Sequence, residues 1–137
     1  MTTKFHVSLP CEDIIQTKDF YTNILDCEMG RNAQHWADID LFGHQLTFTE
    51  AGKFSFENPN YLFEGKVLPS FHLGVIVNLD TWSALYKKIS ATEEEIVHQK
   101  TFLTSKKGEH LSFFVKDPDG YMLEFKSFKN NNEIFEA

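Results

Sequence analysis

The sequence predicts a mixed α+β fold: two β-α-β-β-β modules forming a cup-shaped mixed sheet, with the helices outside. Three observations carry this. The order of apolar-periodic segments in residues 4–50 recurs in residues 69–128. "FHV" at 5–7 has a counterpart in "FHL" at 71–73. "DLFGHQLTF" (40–48) aligns without a gap on "DPDGYMLEF" (117–125). That alignment sets Asp40 over Asp117, Gly43 over Gly120, Leu46 over Leu123, Phe48 over Phe125 and Thr47 over Glu124. A single match of this kind is weak; two in the same order around the same helix indicate a duplicated module.

The elements follow in order. "KFHVSLP" (4–10) reads as a strand, and "EDIIQTKDFYTNIL" (12–25) as an amphipathic helix lying on a sheet through Ile14, Ile15, Phe20, Tyr21, Ile24 and Leu25. "CEMGRN", "HWADIDLF" and "HQLTFTE" are short β-rich runs between turn signals. Residues 51–68, rich in Phe, Asn, Gly and Pro, read as a connector. The second module opens with "SFHLGVIV" (70–77) and continues with the helix "LDTWSALYKKIS" (79–90), for which Asp80 is the expected N-cap. "EEIVHQ", "HLSFFVKD" and "YMLEFKSF" complete it, and the polar tail 129–137 is expected to fray. Phe5, Phe48, Phe71, Phe113 and Phe125 are expected to fill the space between helices and sheet, with Trp82 in the core.

A chain of 137 residues suits one domain with a real core, and 42% hydrophobic and 15% aromatic residues mark it as globular. Twenty acids against 13 bases give a net charge of −7 with no basic stripe, which argues against nucleic acid or an anionic membrane as partner. No apolar run approaches the roughly 20 residues that span a bilayer, and the N-terminus shows no signal-peptide core. Cys11 and Cys27 have neither metal-type spacing nor a disulfide framework and are expected as packed thiols. A cytoplasmic protein with a small-molecule partner is the expectation.

Glu124 lies among Met122, Leu123 and Phe125 in the strand after a tight Asp-Pro-Asp-Gly turn. An ionised carboxylate on the inner face of a strand is costly unless a positive group meets it. Modules related by a local two-fold would bring equivalent positions together: His6 and His72 from the opening strands, Thr47 and Glu124 from the closing ones. Taken singly, a strand histidine is a hydrogen-bonding residue and a strand glutamate faces water. Two histidines at equivalent repeat positions change that balance. Two imidazoles and one carboxylate with open positions form a donor set suited to non-haem Fe(II), or to Mn, Zn or Ni.

The paired histidines, the duplicated module and the "DPDGYMLEF" box resemble the vicinal oxygen chelate superfamily, which includes glyoxalases, bleomycin- and fosfomycin-resistance proteins and extradiol dioxygenases. The resemblance spans about Lys4 to Phe128 and implies a glyoxalase/dioxygenase-like fold with His6, His72 and Glu124 as metal ligands. It also implies two departures. Glyoxalases place a fourth ligand, a Glu, where this chain has Thr47; the nearest acid, Glu50, falls on the opposite face by strand parity. Extradiol enzymes carry an acid–base Tyr where this chain has Phe114, which cannot transfer a proton. His110, four residues earlier with the same parity, is the candidate general base, against the alternative of a plain hairpin-entrance histidine. Thr47, Phe114 and Met122 are expected to line the substrate pocket. His35, His44 and His98 read as edge or turn residues.

The function expected first is an Fe(II) dioxygenase acting on a small chelating oxygenated substrate, aromatic among the options. The alternatives are a glyoxalase-like lyase or isomerase, which Thr47 disfavours, and a non-catalytic antibiotic binder. Sheet edges and apolar surface, together with the resemblance, point to a homodimer.

Overall fold

Ten strands make two four-stranded mixed sheets and a hairpin in this computed structural model, which describes residues 1–136. The chain divides into two units, residues 1–56 with 117–119, and residues 57–116 with 120 onward.

In the first unit the strands β1 (His6–Cys11), β2 (Glu28–Asn32), β3 (Trp36–Leu41) and β4 (His44–Glu50) are ordered β1-β4-β3-β2. β1 runs parallel to β4, and β3 antiparallel to it. The period of two puts Ala37, Ile39, Leu46 and Phe48 on the buried side, with α1 (Ile14–Asp19) packed there through Ile14 and Thr17. Asp13 caps α1, its carboxylate accepting from the amides of Ile15 and Gln16. The sequence predicts one helix over 12–25, but α1 widens into a π turn over Phe20–Ile24, closed by Leu25 N–H on Phe20 O at 3.1 Å. The Thr22 hydroxyl donates at 2.7 Å to Lys18 O, the acceptor its own amide would use in an α-turn, and that competition loosens the ladder.

The aspartates of the 117–119 segment are tied to this unit. Buried Tyr21 donates its hydroxyl to Asp117 Oδ2 at 2.9 Å, and Asp119 Oδ1 accepts from the Glu12 amide at 2.8 Å. The two acids of the "DPDG" turn therefore serve as backbone and side-chain anchors.

The second unit contains β5 (Asn60–Phe63), β6 (Lys66–Pro69), β7 (Leu73–Ile76), α2 (Leu79–Ser90), β8 (Ile96–Phe102), β9 (His110–Lys116) and β10 (Met122–Phe128). Its sheet has the order β7-β10-β9-β8, which reproduces the first sheet's topology. Phe113 and Phe125 lie on the helix side, against Trp82 and Tyr86 of α2, and Trp82 Nε1 donates to Phe125 O at 3.0 Å. The cap of α2 is Asn78, not Asp80: its extended backbone lets the side chain accept from Thr81 N–H at 2.8 Å, and Asp80 sits in the first turn, where the helix dipole favours an acid.

Two further expectations are corrected. Part of the connector 51–68 is the hairpin β5–β6, paired from Asn60 opposite Pro69 to Phe63 opposite Lys66. Phe5 does not fill a core; it is 65% exposed, one residue before β1 begins. Phe48, Phe113 and Phe125 are buried, as is Cys11.

The duplication holds at the level of register. Val7 pairs with Leu46 in the first sheet, and Leu73 with Leu123 in the second. His6 and His72, each one residue earlier, are thus equivalent positions. Gly43 and Gly120 both adopt φ of +88°, a conformation that glycine enters without a Cβ clash.

Candidate metal and ligand site

In the second unit, β10 delivers Glu124 and the residue just before β7 delivers His72 to the same face of the sheet. Glu124 is 6% exposed, and its Oε2 lies 3.2 Å from His72 Nε2. Ser112 of β9 donates its hydroxyl to Glu124 Oε1 at 2.9 Å. Lys126, two residues on and therefore on the same face, puts Nζ 3.6 Å from Glu124 Oε2.

Burial alone would raise the Glu124 pKa. The His72 hydrogen bond, the Lys126 charge and the Ser112 hydrogen bond outweigh it, so the carboxyl titrates below the usual range. The His72 imidazole is shifted the other way, raised by its hydrogen bond with Glu124 against the opposing effect of burial.

The proton on His72 can be located by elimination. Nδ1 lies 3.0 Å from Pro69 O, a carbonyl that can only accept. Nδ1 therefore carries a hydrogen, and in the neutral ring Nε2 would turn its lone pair toward a carboxylate oxygen. Such a pair repels unless a positive species joins it, either a proton on Nε2 or a metal cation. The 3.2 Å separation accommodates either, since an N–H···O hydrogen bond reaches that length and two donors about 2.1 Å from one ion at a right angle stand about 3 Å apart. Among the described residues, no group of three or more His, Cys, Asp or Glu is gathered as a metal-holding cluster; His72 and Glu124 stand as a pair.

The wall beside the pair is apolar. Phe114, directly opposite Glu124 on β9, is 1% exposed, and Met122 is 5% exposed; both pack with Phe102 and Leu68. Phe114 meets the imidazole of His72 edge-on at 5.5 Å and that of His98 at 6.0 Å. A cavity of about 240 Å³ opens along His72, Gly74, Ile76, Glu124 and Lys126. A Cβ on Gly74 would stand 1.7 Å from the Glu124 carbonyl oxygen, so only glycine allows β7 to approach β10 this closely.

His110 shares the sheet face of Phe114 and Glu124 but lies four residues along β9, about 13 Å at strand spacing. Its ring is stacked between Phe102 (5.6 Å) and Phe128 (4.9 Å), with Nδ1 2.8 Å from Gly108 O.

In the first unit, His6 is exposed on β1, opposite Gln45. Thr47 donates its hydroxyl to Asp38 Oδ1 at 2.7 Å. Asp38, 4% exposed, also accepts at Oδ2 from Arg31 Nε at 3.0 Å and Gln45 Nε2 at 3.1 Å. Glu50 is engaged on the helix side, accepting from Ile14 N–H at 2.9 Å and meeting His35 Nδ1 at 2.8 Å.

The sequence reading missed Lys126, Ser112 and Gly74. Strand parity points to all three, since each lies two residues from a residue already singled out: Glu124, Phe114 and His72. Tyr61, on the hairpin, has no such signal. Its hydroxyl is held protonated by partial burial and by the Glu124 charge.

The sequence profile of the Glyoxalase/Bleomycin resistance protein/Dioxygenase superfamily matches residues 5–125. No curated protein matches the sequence. Among solved structures, a glyoxalase/bleomycin resistance protein/dioxygenase from Alicyclobacillus acidocaldarius superposes with a TM-score of 0.80 at 24% identity, covering 97% of this chain and 96% of that one. The fosfomycin resistance protein FosX from Listeria monocytogenes gives 0.74 at 16% identity, covering 100% and 99%. A lactoylglutathione lyase from Agrobacterium tumefaciens gives 0.66 at 13% identity, covering 93% and 94%. At these identities the likeness is one of fold. No helix is long and apolar enough to cross a membrane among the described residues.

Proposed function

Because the chain belongs to the glyoxalase/bleomycin resistance protein/dioxygenase superfamily, we propose that it is a metal-dependent enzyme acting on a small oxygenated substrate, with His6, His72 and Glu124 holding one divalent ion. The observation that carries this is the 3.2 Å approach of His72 Nε2 to Glu124 Oε2, with the ring's other nitrogen committed to Pro69 O. Ser112 fixes the carboxylate and Pro69 fixes the imidazole tautomer, the kind of support that orients metal ligands. His6 holds the equivalent register position on the first sheet and is the third donor on this reading.

Two nitrogens and one carboxylate, with a threonine at the fourth repeat position leaving a place open, match the donor set of non-haem Fe(II) oxygenases, which catalytic zinc sites also use. The form of the proposal placed first is an Fe(II) dioxygenase for a chelating substrate. A bound ion would polarise adjacent substrate oxygens and, if iron, supply redox chemistry toward O2. Phe114 and Met122 would exclude water on one side, and Thr47, its hydrogen given to Asp38, would offer only lone pairs.

One observation favours a second reading. Phe114 stands opposite Glu124 with no ionisable group, so an O2-independent lyase, isomerase or resistance activity needs less from this wall. The fosfomycin-resistance and lactoylglutathione lyase structures of the same fold are consistent with it.

Metal analysis of protein purified without added metal, followed by O2 uptake on a panel of catechols, tests both. Glu124→Ala is expected to abolish metal retention and Glu50→Ala to preserve it, since Glu50 is engaged with Ile14 and His35. Unchanged metal content in Glu124→Ala would remove the site and the enzyme assignment together. Metal without O2 uptake selects the second reading. The protein is proposed to act as a homodimer, which light scattering would register as twice the 15.9 kDa chain mass.

A further inference from the structure

We propose that Lys126 sets the charge of the ligand: the site takes a small dianionic chelate, one of whose negative oxygens meets the Lys126 ammonium. The inference rests on the metal-centre reading and adds to it the class of molecule bound.

Glu124 Oε2 has two nitrogen neighbours, His72 Nε2 at 3.2 Å and the Lys126 ammonium at 3.6 Å. The Lys126 side chain is one-third exposed (33%), so its charge is neither fully hydrated nor sealed away. Its register neighbours are Ser112 and Ile76, which bring no second acid. Lys100, across Ser112 on the next strand, differs: it is paired with Glu64, at 3.9 Å from Oε2. Lys126 is thus the cation on this face whose acid is a proposed metal ligand.

When Glu124 turns to a divalent ion, Lys126 is left beside a like charge. The ion and the ammonium together exceed the one carboxylate by two positive charges, with Ser112 neutral. A ligand of two negative charges restores neutrality, and a charge-assisted hydrogen bond from Lys126 would hold the oxygen not given wholly to the metal. The cavity places Lys126 along the same opening as His72 and Glu124.

Oxalate and oxamate separate charge from shape, because they are near-isosteric vicinal chelates differing by one negative charge. Titration of both into Co(II)-loaded protein by calorimetry, with the cobalt absorption spectrum followed, reads the preference. Wild type should favour oxalate, and Lys126→Met should cut that preference about tenfold. The same variant should hold Co(II) at least as tightly, because a like charge has gone. Lys126→Arg should keep the preference. The opposite signs matter, since a merely structural lysine would weaken metal and both chelates together, and that result overturns the proposal. An unchanged preference with Co(II) retained overturns it alone. A wild type that retains no Co(II) overturns the metal-centre reading and this inference with it.

Discussion

Asp38 faces Thr47 across the β3–β4 ladder, its carboxylate accepting the Thr47 hydroxyl at 2.7 Å. In the second sheet the equivalent pair is Phe114 and Glu124. The duplicated module has thus exchanged its acid: one sheet carries it on the closing strand, the other on the strand beside. The two acids have different surroundings. Asp38 is held by Arg31, Gln45 and Thr47 together, whereas Glu124 is shared among Ser112, His72 and Lys126. Asp38→Ala should therefore act on stability, costing about 2 kcal/mol, in the range for hydrogen bonds to a charged group. Thr47→Val should cost about 1 kcal/mol. Urea denaturation checks both, and a larger loss for Thr47→Val than for Asp38→Ala would contradict this ordering.

Gly74 and Gly120 offer a contrast between crowding and conformation. A Cβ at Gly74 collides with the Glu124 backbone, whereas at Gly120 it meets nothing within 4 Å and suffers only the positive φ. Gly120→Ala should cost about 1 kcal/mol. Gly74→Ala should cost more, about 3 kcal/mol, because β7 must move off β10 and no flexible side chain is there to yield. Thermal melts order the two, and comparable melting temperatures would show that the sheet absorbs the methyl group.

What the sequence disclosed depended on whether a signal was local. The gapless match of 40–48 onto 117–125 became a shared register, because alternation fixes which residues face which side and the two glycines fix the turns. The hairpin β5–β6 gave no such signal: Asn60–Phe63 is exposed along its whole length, so nothing alternates. The π turn at Phe20–Ile24 also escaped, since the apolar spacing of a helix survives one widened turn. At the site, His72 and Glu124 were legible as a pair through the repeat. The Pro69 carbonyl that fixes the imidazole was not, because a backbone acceptor carries no residue signature.

Tyr21 is wholly buried, and its hydroxyl meets the carboxylate of Asp117 at 2.9 Å. Burial, then the Asp117 charge and hydrogen bond, push the phenol well above its usual range, so it remains the donor throughout the working pH range. Tyr21→Phe keeps the ring packing against Phe20 and Phe48 and removes only that donor. A loss of about 1–3 kcal/mol is expected, the cost of leaving a buried acceptor short of a partner. Chemical denaturation measures it, and a neutral result would mean that water or the other partners of Asp117 replace the phenol.

The last prediction concerns pH in metal-free, chelator-treated protein. The His72 pKa is raised above 6.5 by the hydrogen bond with Glu124, against burial. Its contribution to stability is then fully present below that unfolded value and is lost as pH rises through the folded one. The Glu124 pKa lies below 4.5, since His72, Lys126 and Ser112 outweigh burial. Its contribution is present above the unfolded value and is lost as pH falls through the folded one. Both shifts describe one interaction, so it is strongest between the two unfolded values, from about pH 4.5 to 6.5. The difference in melting temperature between wild type and His72→Gln should peak in that window and shrink toward pH 9. Divalent metal should reverse the trend, because it replaces the proton on Nε2: the stabilisation it adds should grow as pH rises through the folded His72 value. A wild-type-minus-variant difference that stays flat from pH 4 to 9 would show that His72 and Glu124 do not share a proton, and a metal effect that shrinks with rising pH would take the ion away from Nε2.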